Sequence, residues 1–168
     1  AKLMPNNLQP HPTWKILDST KLKTFMSCPR RYFWNFVVGW RPEGESIHLV
    51  FGAAWHLAME HMLLGYKTRG RYDNADIPDA INLLTSHYRE YFTEDQDALF
   101  EPKNPSYALE ALALYVQTYV GDRFKVISTE IAGTVPIAEN RRMHFKIDAL
   151  CQDETGKLFV LEHKTSQR

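Results

Sequence analysis

MHFKIDALCQDETGKLFVLEHK, residues 143–164, decides how this chain folds. Its first part alternates strictly. Met143, Phe145, Ile147, Ala149 and Cys151 fall on one face of an extended strand, with His144, Lys146 and Asp148 on the other. The segment QDETGK breaks the alternation, and Gly156 can supply the positive φ of a tight turn. KLFVLEHK then reads as an antiparallel partner. Asp148 lies seven residues before Thr155 and Glu162 seven after it, so a turn centred there sets the two carboxylates opposite each other on one face. Lys164 joins that face two residues on. Facing carboxylates destabilise a strand pair, and a divalent cation between them removes the repulsion. The competing reading is an ordinary surface ion pair between Glu162 and Lys164. The run LFVL before it is apolar at every position, which predicts a strand covered on both faces and argues for buried charges with a purpose.

Upstream, the period shifts from two to about 3.6. LDSTKLKTFMSCPRRYFWNFVVGW predicts two short helices, the first capped by Asp18 or Ser19, the second opened by Pro29 and closed by Gly39. VFGAAWHLAMEHMLLGY predicts a helix from about Val50 to Leu64. IPDAINLLTSHYREYF, with Pro78 in its first turn, and SYALEALALYVQTYV, stopped by Gly121, predict two more. FKVISTEIAGTVPI is rich in β-branched residues and reads as one or two strands. The fold class is therefore α/β or α+β, with a helical part (residues 19–121) followed by a strand meander (122–168) in one domain. The segment 1–18, rich in Pro and Asn, reads as a flexible arm.

The 168 residues suffice for one hydrophobic core. No apolar run is long enough to span a bilayer, and two cysteines make no disulfide framework, so a reducing, cytoplasmic setting is expected and no membrane partner. Twenty basic and twenty acidic residues cancel, which argues against a protein that coats nucleic acid nonspecifically. The charges are segregated, however. Seven basic residues lie between Lys2 and Arg41 with Asp18 the lone acid, whereas nine acids lie between Asp73 and Glu110 against Arg89 and Lys103. One end can meet phosphates; chance clustering of solvated faces is the other reading.

Asp148 on one strand, then Glu162-His163-Lys164 on the next, resembles the signature of the PD-(D/E)XK nuclease superfamily. Further segments resemble its RecB-like branch, which includes CRISPR-associated exonucleases and phage recombination nucleases. These are the Ser-rich helix start at Ser19, Cys28-Pro29 with the basic pair Arg30 and Arg31 and following aromatics, Gly52-x-x-x-His56 on a helix, and Thr165-Ser166 after the lysine. The resemblance runs from about Ser19 to the last residue. It implies a restriction-endonuclease-like core, a mixed β-sheet flanked by helices behind an N-terminal helical half. Because that core usually continues beyond this strand, it also implies that the C-terminal part is truncated here.

The resemblance assigns roles residue by residue. Asp148 and Glu162 hold a divalent metal, Mg²⁺ or Mn²⁺, with His56 as an additional ligand and Glu130 as a further acidic ligand or a base behind the ligands. Lys164 orients or deprotonates the attacking water and offsets phosphate charge. An imidazole among oxygen ligands suits Mn²⁺ better than Mg²⁺. Read without the resemblance, His56 beside Trp55 and Met59 is an ordinary rim histidine, Glu60 one turn on makes a surface pair with it, and His61 is a helix-surface residue. Lys21, Lys23, Arg30 and Arg31 are candidate DNA contacts, or partners of surface acids. Some members of the branch carry an iron–sulfur cluster on four cysteines. Cys28 stands at the first position, but with Cys151 alone besides it no such cluster forms within this chain, and Cys28 is expected to be a small buried hydrophobe. The function implied is a metal-dependent deoxyribonuclease, an exonuclease of recombination or repair acting on single-stranded DNA or duplex ends, with other recombination proteins as further partners, in a bacterial or phage-infected cell. The alternative is a non-catalytic nuclease-like module that binds DNA or scaffolds a recombination complex.

Overall fold

The computed structural model describes residues 10–165; most of the expected flexible arm (1–9) and Ser166 lie outside the described residues. These residues form two compact units: one of residues up to 43 together with 132–146, the other of 44–131 together with residues from 147 on.

The first unit opens with a 3-10 turn, Pro12–Lys15, and a two-residue strand β1, Ile16–Leu17, rather than a loose arm. The reason is local. The Lys21 ammonium donates to the carbonyls of Thr13 (3.0 Å) and Ile16 (2.7 Å), and Arg141 donates to the carbonyl of Trp14 (3.0 Å). Helix α1 (Ser19–Ser27) starts where expected, with the Asp18 carboxylate accepting from Lys21 N–H at 2.8 Å. Pro29 opens the short α2 (Pro29–Tyr32), which widens into a π-helical turn, Phe33–Val38, closed by Gly39 at φ 85°. Cys28 is half-buried, not a core residue: its Sγ accepts from Arg31 N–H at 3.4 Å and caps α2.

The second unit holds the core. Helix α3 (Ile47–Arg69) is longer at both ends than its hydrophobic pattern suggests. Ser46 precedes it, and Gly70 at φ 73° stops it only after Lys67 and Arg69, cations suited to a helix C-terminus. Val50, Ala54, Ala58 and Met62 are buried every fourth residue, each with its neighbour Phe51, Trp55, Met59 or Leu63, giving a broad apolar stripe. Against it pack α4 (Ile77–Arg89), which in turn contacts α5 (Pro105–Tyr119). The acidic connection between them is stapled by a two-pronged Arg89–Asp97 pair (2.7 and 2.6 Å).

FKVISTEIAGTVPI proves to be a single long strand, β2 (Phe124–Ala138). Tyr66 on α3 fixes its start: the buried phenol donates to Asp122 O (2.9 Å), accepts from Phe124 N–H (3.2 Å), and its ring stacks on Phe124 at 4.3 Å. Strand β3 (Arg141–Asp153) and β4 (Leu158–Leu161) complete a four-stranded mixed sheet in which β3 pairs with β2, parallel with β1 and antiparallel with β4. This mixed α/β arrangement, with helices flanking the sheet, is consistent with the expected restriction-endonuclease-like fold.

The β3–β4 hairpin has the register read from the sequence. Ala149 pairs with Leu161 and Cys151 with Phe159, so the next step brings position 148 opposite position 162. One expectation fails here. β4 is not covered on both faces, because Leu158 and Val160 are 55% and 49% exposed while Phe159 and Leu161 pack on the core. A strand side chain alternates sides whatever its chemistry, and within the described residues nothing covers the second face.

Candidate active site

Asp148 sits in the middle of β3, only 9% exposed. A carboxylate in that position needs partners. Its Oδ2 accepts the main-chain N–H of His163 at 2.7 Å, and its Oδ1 lies 3.3 Å from Nδ1 of His56. His56 projects from mid-α3, next to the buried stripe but with a third of its side chain exposed. It is a rim position rather than a core one.

Glu130 joins them from the middle of β2. Its φ is +51°, the left-handed region that costs an L-residue roughly 1–2 kcal/mol. The alternation of buried and exposed residues along β2 breaks at the same place, over 129–131. One ligand atom each from His56, Glu130 and Asp148 lies within 4.8 Å of the others. Ligands on opposite sides of a single divalent ion stand about 4 to 5 Å apart, so the span fits one ion. The donor set, two carboxylates and an imidazole, suits a hard to borderline divalent metal.

Glu162 and Lys164 are not in that group. Beyond Leu161 the chain leaves the strand, and Glu162 pairs with Lys164 at 2.9 Å, with side chains 40% and 72% exposed. The hydrogen bond to Glu162 raises the Lys164 pKa above its ordinary value, so Lys164 is an ammonium. Both residues border a cleft of about 290 Å³ whose other walls are largely aromatic, including Trp55, Tyr115 and Tyr119. Glu60, the i+4 partner considered for His56, is likewise outside the group formed among the described residues.

His163 had no role in the sequence reading, being the unspecified middle residue of Glu-x-Lys. It is 7% exposed, its Nε2 lies 3.1 Å from Tyr115 Oη, and burial lowers its pKa. The signal that could have found it is weak: a histidine directly after an apolar strand end, in a segment with no turn residue.

The four basic residues proposed to meet DNA belong to the first unit. Lys23, Arg30 and Arg31 are exposed on α1 and α2, while the Lys21 ammonium is engaged by carbonyls and lies over the Phe36 ring. Trp34 and Trp40 stack at 4.5 Å in the same unit, with Trp40 54% exposed.

The profile of the PD-(D/E)XK nuclease superfamily matches residues 19–168. The chain belongs to this superfamily. No curated protein matches it significantly. PD-(D/E)XK nucleases use divalent metals, and His56, Glu130 and Asp148 form a group that could hold one. No helix among the described residues is long and apolar enough to cross a membrane.

Proposed function

We propose that this chain is a divalent-metal-dependent deoxyribonuclease of the RecB-like branch, an exonuclease that hydrolyses phosphodiester bonds in recombination or repair. The observation that carries the reading is the convergence of His56, Glu130 and Asp148 from three separate elements onto one ion-sized space, in a chain of the PD-(D/E)XK superfamily. Asp148 and Glu130, with His56, would hold Mn²⁺ or Mg²⁺, whereas Glu162 lies outside this group, paired with Lys164, and only the family pattern assigns it to the metal. A bound cation would polarise the phosphodiester and lower the pKa of a water. Lys164, an exposed ammonium beside Glu162, donates hydrogen bonds to the attacking water or to a phosphate oxygen and offsets its charge. Asp148 is kept in place by the His163 main-chain N–H, so its orientation does not depend on the metal. Lys23, Arg30 and Arg31 with the stacked tryptophans of the first unit supply phosphate contacts and a stacking platform for single-stranded DNA.

The test is cleavage of end-labelled single- and double-stranded DNA with Mn²⁺ or Mg²⁺, beside Asp148→Ala and Lys164→Ala. Each variant is expected to lose cleavage by on the order of 10²-fold or more. Equal cleavage by wild type and both variants would overturn the assigned site. Closed circular DNA, which offers no ends, should resist a true exonuclease.

A further inference from the structure

The residue between Glu162 and Lys164 is buried in a hydrogen-bonded chain that reaches far behind the site. Tyr72, in the loop after α3, is 2% exposed and its hydroxyl lies 3.3 Å from that of Tyr115 on α5. Tyr115 Oη lies 3.1 Å from Nε2 of His163. His163 in turn touches Asp148 twice. Its main-chain N–H donates to Oδ2 at 2.7 Å, and its Nδ1 stands 3.8 Å from the same oxygen. That Nδ1 is buried and has no hydrogen-bond partner, 3.8 Å being too long for one.

The chain has a direction. If Nε2 carried the proton, Nδ1 would aim a bare lone pair at a carboxylate in a buried setting, an arrangement with repulsion and no compensation. The opposite tautomer places N–H on Nδ1, facing Asp148, and leaves Nε2 to accept from the Tyr115 hydroxyl. Tyr115 then accepts from Tyr72. Burial raises the pKa of both phenols, so both have a proton to give. In this arrangement both hydrogen bonds of the chain are made, and Nδ1–H, although 3.8 Å is too long for a hydrogen bond, turns its positive end rather than a lone pair toward Asp148 Oδ2.

Resting on the reading of Asp148 as a metal ligand, we infer that His163 is a positioning residue for Asp148 and that Tyr115, by fixing the His163 tautomer, is a second one acting through it. Neither touches substrate. Together they hold a carboxylate whose orientation sets metal affinity, as hydrogen-bond partners behind metal ligands do.

The experiment measures Mn²⁺ binding directly, from the loss of the free-ion electron paramagnetic resonance signal, without DNA. Four variants accompany the wild type: Asp148→Ala, Tyr115→Phe, His163→Phe and the Tyr115→Phe/His163→Phe double variant, each checked for a cooperative thermal transition. Tyr115→Phe is expected to weaken binding by roughly tenfold, the lower edge of what loss of such a partner costs. In the His163→Phe background the same change should have no further effect, because there is no ring nitrogen left to fix. A Tyr115→Phe protein that binds like wild type, or that weakens equally in both backgrounds, overturns the inference while Asp148→Ala still reports on the metal site. If Asp148→Ala binds like wild type, the metal reading falls and takes this inference with it. A second measurement needs no variant: long-range ¹H–¹⁵N spectra of the wild type should show His163 protonated at Nδ1, and protonation at Nε2 would overturn the assignment.

Discussion

Cys28 and Cys151 show how position governs one residue type. Cys151 is fully buried on β3, and burial pushes its thiol pKa up; Cys28 is half-buried at a helix cap. A thiol reagent at neutral pH should label Cys28 readily and Cys151 only on unfolding, which mass spectrometry with and without urea will read. Equal labelling of the two would contradict the core position of Cys151. The same dependence explains which site residues the sequence could reveal. Asp148 was legible because an acid in a strictly alternating strand, opposite another acid, has no structural purpose. His163 was not, because its burial depends on Tyr115, a helical residue 48 positions away. Glu130 is an intermediate case: the family pattern offers an acid there, but only the backbone conformation brings it to Asp148.

Among the elements, the β3–β4 hairpin was the most legible, since period two and a Gly turn leave one register. Asp153 closes that turn, accepting from Thr155 Oγ1 (2.6 Å), Thr155 N–H and Lys157 N–H (both 2.9 Å). The Thr155 hydroxyl, first among these, lowers its pKa below the ordinary 3.8. A lowered carboxylate pKa stabilises the folded state above the unfolded value and ceases to do so as pH falls through the folded one. Asp153→Ala should therefore lower the thermal midpoint at pH 7, with the gap to wild type shrinking below about pH 4. A gap that is constant with pH would assign the loss to packing instead. The helix α3 was less legible at its ends, because its caps lie outside the apolar stripe. Its Gly52 sits one turn before His56, and a Cβ there would meet nothing within 4 Å. Gly52→Ala should raise stability by about 0.5–1 kcal/mol, seen as a higher denaturation midpoint. A lower midpoint would mean that the helix face is more crowded than the structure shows.

For the molecule as a whole, the helical core and the metal-capable group make separate demands on stability. Leu84 on α4 is fully buried, and Leu84→Ala should cost about 2–5 kcal/mol through the cavity it leaves. Metal should act in the other direction. A ligand that binds only the folded state at 100 times its Kd adds about 2.7 kcal/mol. For a chain of 168 residues that is a rise of several degrees in Tm, at about 2–4 °C per kcal/mol. Mn²⁺ should produce this rise in wild type and not in Asp148→Ala, by calorimetry in the presence and absence of the ion. The class and order of elements were readable from period changes alone; the division into two compact units was not, because β2 and β3 run through both and no composition change marks the passage. Glu130 connects this molecular ledger to evolution. Its left-handed backbone would relax by about 1 kcal/mol with glycine, which keeps the chain path and discards the carboxylate. A laboratory lineage selected for heat tolerance alone should thus accept Glu130→Gly and drift toward a sturdy protein with weakened Mn²⁺ binding, whereas selection for DNA cleavage should hold the strained residue in place.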